Sequence, residues 1–210
     1  MKELHHRVKN NLAIVSSLLR LQSSRLQDAG AVEAVRAGQQ RVEAMSLIHQ
    51  RLYQTDNVGS VDMRAYLHDL VDGLLVAYGY ERAALDLTVD VQHPLVDVDL
   101  AVPLGLLLNE LLTNAFKYAF SETTQPALRI YFGPAADGLV LEVQDNGPGL
   151  PPCPTAGTRS FGQRLIASLA EQLNGQLEQH NRGGAYFRLR LGHASLARTA
   201  SGQTLTAATL

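Results

Sequence analysis

Apolar residues recur at steps of three and four through the first part of the chain. Val8, Leu12, Val15, Leu19 and Leu26 form one such run over residues 2 to about 28, with Gln22 in register. This spacing predicts a long helix with a heptad seam. Asp28-Ala29-Gly30 interrupts it. A second run, from about residue 31 to 53, carries Val32, Val35, Val42, Met45, Ile48 and Leu52. Two long helices joined by a short turn predict an antiparallel hairpin. A lone hairpin leaves an apolar stripe uncovered, so pairing with a second copy into a four-helix bundle is expected. Thr55 to Ser60 reads as a polar link. Residues 62–78, with Met63, Tyr66, Leu67, Leu70, Leu74 and Leu75, read as a third helix.

From residue 85 the period shortens to two. Residues 85–91 alternate apolar and polar as a half-buried strand does. An apolar helix over about 100–120 follows. Two strands, 128–133 and 139–145, are joined by Pro134-Ala135-Ala136-Asp137-Gly138 as a hairpin. Residues 146–160 are rich in Gly and Pro and read as a loop. A helix over 162–173 and a last hairpin, 176–180 with 185–191, complete the pattern. The predicted fold class is α+β: a dimerising helical hairpin over 1–58, then an α/β sandwich over 59–192 with one sheet covered by helices. Residues 193–210 are poor in apolar side chains and are expected to be a disordered tail.

Composition narrows the partners. The chain has 210 residues, is 46% apolar and carries a net charge of −2. Such a balance gives no reason to expect nucleic acid or an anionic membrane as partner. The single cysteine, Cys153, excludes an internal disulfide. The most apolar run, Leu100 to Leu112, is broken by Pro103, Asn109 and Glu110 and is shorter than the ~20 residues that span a bilayer. With no charged-then-apolar leader at its start, the chain is expected to be soluble and cytoplasmic, without direct membrane contact.

Candidate chemistry begins on the helix at 106–120. Glu110, Asn114 and Lys117 fall at i, i+4 and i+7 and share a face. A carboxylate, a carboxamide and an ammonium in one line suit a metal-bound phosphate: the amide oxygen is a hard ligand for Mg²⁺ and the ammonium can meet phosphate. The same stripe also suits a helix face turned to water. Asp145-Asn146-Gly147-Pro148-Gly149 directly follows a strand. It is either a turn or a purine site in which the aspartate accepts from an exocyclic amine. Gly157 to Gly162 opens a helix, where free N–H groups favour anions.

The order E-x-x-x-N-x-x-K, D-x-G-x-G, glycine-rich lid and Gly183-Gly184 before the last strand resembles the N, G1, G2 and G3 boxes of the GHKL ATPases, over about residues 85–191. Upstream, Glu3-Leu4-His5-His6-Arg7-Val8-Lys9-Asn10-Asn11-Leu12 is similar to the phosphoacceptor box of HisKA_2-type sensor histidine kinases, close to the HWE group. The resemblance implies a GHKL-type mixed sheet, ATP as substrate with Mg²⁺, a response-regulator receiver domain as partner, and a homodimer. It implies that His6 takes the γ-phosphoryl group, with His5 as the alternative. It implies further that Asn114 holds Mg²⁺, Lys117 contacts phosphate, and Glu110 polarises or orients at the reacting end. Asp145 would bind the adenine amine, Gly147 and Gly149 would shape that floor, and Gly157 and Gly162 would hinge the lid. Asn10, one turn after His6, stands where related kinases place a residue that orients water.

Two departures stand out. The lid helix opens Ser160-Phe161-Gly162-Gln163 where the family pattern is S-L-G-L, and Arg7 follows His6 where many kinases have an acid. A base for His6 would then come from Glu3 or Glu110. A non-catalytic phosphotransfer adaptor with a degenerate ATP site is the alternative. Because His6 lies within two turns of the first residue, an upstream sensor in a longer chain is expected.

Overall fold

A computed structural model describes residues 2–51, 59–150 and 160–192, the side chains of residues 2–6, Lys9 and Glu122 excepted. Two helices come first, α1 (Lys2–Ser23) and α2 (Ala29–Arg51), packed along each other as the expected hairpin. α1 stops five residues short of the predicted end. Ser24 Oγ donates to Leu21 O at 2.9 Å, giving the last turn an alternative to continued helix. Asp28, read as a breaker, starts the next helix instead: its Oδ1 accepts from Ala31 N–H at 2.7 Å.

Strand β1 (Ser60–Asp62) leads into α3 (Met63–Tyr78), followed by β2 (Asp86–Val91), β3 (Leu95–Asp97) and α4 (Val98–Asn114). β1 and β3 pair antiparallel as a separate two-stranded sheet, which the sequence pattern did not suggest. Three residues are too few to show a period of two. Asp62 caps α3, its Oδ1 accepting from the N–H groups of Arg64 and Ala65 at 2.9 and 3.1 Å. After α4 the helix continues as a π turn, Ala115–Ala119, and a 3-10 turn, Phe120–Glu122.

The remaining elements are β4 (Ala127–Ala135), β5 (Gly138–Asp145), α5 (Phe161–Gln172), β6 (Gly175–Asn181) and β7 (Ala185–Gly192). The main sheet has the order β2-β4-β5-β7-β6, with β2 parallel to β4 and the other pairs antiparallel. It is the mixed sheet expected. The β4–β5 connection is tighter than predicted: both strands run on until Ala135 pairs with Gly138. Leu128, Ile130 and Phe132 of β4, Leu139, Leu141 and Val143 of β5, and Phe187, Leu189 and Leu191 of β7 point into one core with the helices. The opposite face is polar, with Arg188 paired to Glu142 and Arg129 to Asp86.

The hairpin is not an appendage. Gln40, Ala44 and Ile48 of α2 are buried against the α/β unit, and α2 packs on both α3 and α4. Gly105 sits where the three helices meet. A Cβ there would lie 2.5 Å from Ile48 Cδ1 and 2.8 Å from Tyr66 Oη. Tyr66 is fully buried and donates its hydroxyl to Gly105 O at 3.2 Å. Within the hairpin, Val8, Leu12, Leu19, Val35, Val42 and Met45 are half-buried. A second stripe on α1, Ile14, Leu18 and Leu21, is 55–60% exposed.

The helical stretch Val98–Ala119 is 22 residues long and apolar enough by composition to cross a bilayer, with mean hydropathy 1.2. It is longer than the run Leu100 to Leu112 because the helix starts at Val98 and continues past Leu112 to Ala119. Its most apolar window is 72% buried inside this fold, as a core helix is. Residues 193–210 and most of the link Thr55 to Ser60 lie outside the described residues.

Candidate active site

Asp145 closes β5, a central strand flanked by β4 and β7. It is 8% exposed. Its Oδ1 accepts from Gly147 N–H at 2.9 Å and from Ala185 N–H at 3.0 Å. Both bonds fall on one oxygen, so Oδ2 is the atom that a ligand amine can meet. Gly147 has no room for a side chain: a Cβ would come within 2.3 Å of the Ala119 Cβ. Gly149 has φ of +87°, where glycine carries no steric penalty. Beside it Asn181 clamps the next peptide, accepting from Leu150 N–H at 2.6 Å and donating to Leu150 O at 3.2 Å.

This loop forms one end of a cavity of about 680 Å³ between α4, α5 and strands β6 and β7. Asn114, Asp145 and Gly149 line it, and Leu111, Ile166 and Phe187 give it apolar walls. The size and lining are those of a small-molecule site with a few convergent polar groups.

Glu110 and Lys117 point elsewhere. On an α-helix Lys117 lies about 20° from Glu110 in projection, whereas Asn114 lies about 40° to the other side. Glu110 and Lys117 therefore face α2, and Asn114 alone of the three lines the cavity. Glu110 is 5% exposed. Both of its oxygens are held by Arg41, Nε to Oε1 at 2.8 Å and Nη2 to Oε2 at 2.9 Å. Lys117 Nζ pairs with Glu33 Oε1. Lys117 also sits on the π turn, a helical irregularity frequent at functional sites.

Helix α5 begins beside the Glu110 carboxylate. A Cβ on Gly162 would lie 3.1 Å from Glu110 Oε2, and the Arg41 guanidinium lies 4.8 Å from the centre of the Phe161 ring. Gln163 has a structural use: its Oε1 accepts from Ser160 N–H at 3.1 Å while Ser160 Oγ accepts from Gln163 N–H at 3.2 Å. This capping box stabilises the start of α5 with a polar residue where the family pattern has an apolar one. Gly157 lies outside the described residues, as does the side chain of His6, whose backbone belongs to α1. Asn10 is exposed on α1. Sequence reasoning missed Glu33, Arg41 and Asn181, which reach the site from elements remote in sequence.

Two family models match the chain. One described as histidine kinase (HisKA_2) covers residues 3–78, and one described as histidine kinase-, DNA gyrase B-, and HSP90-like ATPase covers residues 99–195. The chain is 31% identical over 192 residues to a blue-light-activated histidine kinase of Erythrobacter litoralis, covering 88% of this chain and 54% of that protein. It is 32% identical over 200 residues to the sensor histidine kinase PdtaS of Mycolicibacterium smegmatis, covering 91% of this chain and 39% of the relative. The chain belongs to the HisKA_2-type histidine kinases. It corresponds to the kinase core and spans about half or less of the length of these relatives.

Solved histidine kinases share the fold. The histidine kinase domain of the Erythrobacter litoralis blue-light activated histidine kinase superposes with a TM-score of 0.70 at 23% identity, covering 95% of this chain and 98% of that one. The longer structure of the same kinase gives 0.69 at 27% identity, covering 95% and 60%. The HisKA_2 match runs on through α3, and the ATPase match takes in α4, α5 and the strands β4 to β7, and with them the residues that line the cavity.

Proposed function

We propose that this kinase core moves the γ-phosphoryl group of ATP to His6 and then to an aspartate on a response-regulator receiver domain. The observation that supports this most is the meeting of Asn114 and Asp145 on one cavity, with Asp145 offering one free carboxylate oxygen on a glycine floor. Asp145 would accept from the adenine amine, and the apolar walls would take the purine ring. Gly147 and Gly149 would shape that floor by letting the loop pack closely on Ala119 and Asn181. Lys117 would meet the phosphate chain, and Gly157 and Gly162 would let the lid close over it.

Asn114 fits a Mg²⁺ ligand, because its carboxamide oxygen is a hard donor lining the cavity. Among the described residues no group of three His, Cys, Asp or Glu is placed to hold a metal. A Mg²⁺ held by Asn114 would take its other ligands from phosphate and water, and would supply charge neutralisation to the phosphates.

In the transfer itself, a neutral imidazole nitrogen of His6 forms a bond to the γ-phosphorus. The bond from that phosphorus to the β–γ bridging oxygen breaks, and its electron pair leaves on ADP. Imidazole has an ordinary pKa of about 6.5, so most of it is neutral at pH 7 and already nucleophilic. Glu110 can take part as a base or orienting group only after Arg41 releases its carboxylate. The phosphoramidate then passes its phosphoryl group to the receiver's aspartate, whose carboxylate oxygen displaces the imidazole.

The working form would be a homodimer joined through the hairpin, supported by the exposed Ile14, Leu18 and Leu21 stripe. The hairpin, 1–58, would act as acceptor and dimer unit, and residues 59–192 as the catalytic unit, both in the cytoplasm. Self-labelling of the purified chain from γ-labelled ATP with Mg²⁺, followed by transfer of label to a receiver domain, tests the proposal. A chain that neither binds nucleotide nor labels would instead be a phosphotransfer adaptor.

A further inference from the structure

Two ion pairs bridge α2 to the helix that carries the candidate phosphate-handling residues. Glu33 and Arg41 lie two turns apart on α2, and their partners Lys117 and Glu110 lie two turns apart on the helix running from α4 into the π turn. The order is reversed, Glu33 with Lys117 and Arg41 with Glu110, as on two antiparallel helices. The charges alternate so that each pairing is favourable and a shifted register is not. Arg36 of the same helix adds a guanidinium hydrogen bond to Ala77 O at 2.9 Å.

The two pairs differ in character. Arg41–Glu110 is largely buried, with side chains 20% and 7% exposed. Glu33–Lys117 is looser: Lys117 is 20% exposed and Glu33 49%. A pair of that kind is worth little by itself and can exchange partners.

We propose that Glu33 of the hairpin is an affinity-determining residue of the ATP site, occupying the Lys117 ammonium that the phosphate chain needs. The inference rests on the role given to Lys117 under the proposed function. A triphosphate reaching Lys117 must displace the Glu33 carboxylate and meets its negative charge on the way. Binding of ATP and docking of α2 then oppose each other at this point. By linkage, whatever draws α2 away from Lys117 raises ATP affinity by the same factor that ATP weakens the docking. ATP binding is in this way coupled to the position of the helix that forms half of the acceptor hairpin. Arg41 still holds Glu110 at the second pair, so release of Glu33 weakens the docking of α2 at the phosphate end without undocking the helix.

The test is titration calorimetry of Mg·ATP and of adenosine into the full chain and into Glu33→Gln. The substitution keeps the shape of a half-exposed side chain and removes its charge. Glu43→Gln, which removes an equal charge from α2 away from Lys117, serves as the control. Glu33→Gln is expected to bind Mg·ATP about three- to tenfold more tightly, with adenosine affinity and the Glu43→Gln variant unchanged. The gain should shrink as salt rises. Equal ATP affinity in Glu33→Gln and the unaltered chain overturns the inference, as does equal tightening for adenosine or in Glu43→Gln. If the unaltered chain binds no nucleotide at all, it is the proposed function that fails, and this inference with it.

Discussion

Arg41 and Glu110 join the helical hairpin to the α/β unit through a two-point guanidinium–carboxylate contact, at 2.8 and 2.9 Å. Removing one partner of a buried pair leaves the other charge uncompensated, which costs more than the pair itself is worth. Arg41→Ala should destabilise the protein by about 3 kcal/mol. Adding Glu110→Gln should recover most of that loss, because the remaining amide is neutral. Urea denaturation of the single and double variants checks both statements.

Asn114 and Asp145 share the cavity, and under the proposed function they address different parts of a nucleotide. Asp145→Ala should weaken ATP, ADP and adenosine alike by about 1.5–3 kcal/mol, the loss of a hydrogen bond to a charged group. Asn114→Ala should weaken Mg·ATP and leave adenosine untouched. Calorimetry with and without Mg²⁺ separates the two; matching small losses in both variants would argue against this assignment.

Gly105→Ala should cost about 1–3 kcal/mol, since its methyl group would overlap Ile48 and Tyr66. The Tyr66 phenol adds a pH dependence. Burial raises its pKa above the ordinary value, so the folded state favours the neutral phenol. The unfolded chain ionises it above about pH 10. Its contribution is complete below that pH and is lost as pH rises further. Tyr66→Phe should lower stability at pH 7 by about 1 kcal/mol and flatten the alkaline fall, as thermal melts between neutral and alkaline pH would record.

Ile14, Leu18 and Leu21 form an exposed apolar row on α1. If a second copy covers it, Leu18→Glu with Leu21→Glu should turn a dimer into a monomer in light scattering, with the secondary structure retained. A chain that is monomeric at micromolar concentration without these changes would contradict the dimer.

Much of this fold is legible in the sequence because period and burial agree. β4 alternates Leu128, Arg129, Ile130, Tyr131 and Phe132 with the pleat, and the core helix carries leucines at helical spacing. Asp145 stands out because a charged residue closes an apolar strand. Shorter or longer-range features escaped. β1 and β3 have three residues each. The division of the polar stripe between cavity and hairpin turns on an offset of about 40° around the helix. Glu33 and Arg41 look like ordinary surface charges of an amphipathic helix, and only the docking of α2 on α4 reveals their partners. Asn181 likewise reads as a turn residue until Leu150 is placed beside it.

The most direct test is the transfer of label from γ-labelled ATP to the unaltered chain and to His6→Gln, with nucleotide binding measured in parallel. The unaltered protein should take up label in the presence of Mg²⁺, in a form lost in acid as a phosphoramidate is. His6→Gln should bind ATP as before and take up none. Label persisting in His6→Gln, or a chain that binds Mg·ATP and never labels, would contradict the transfer proposed here.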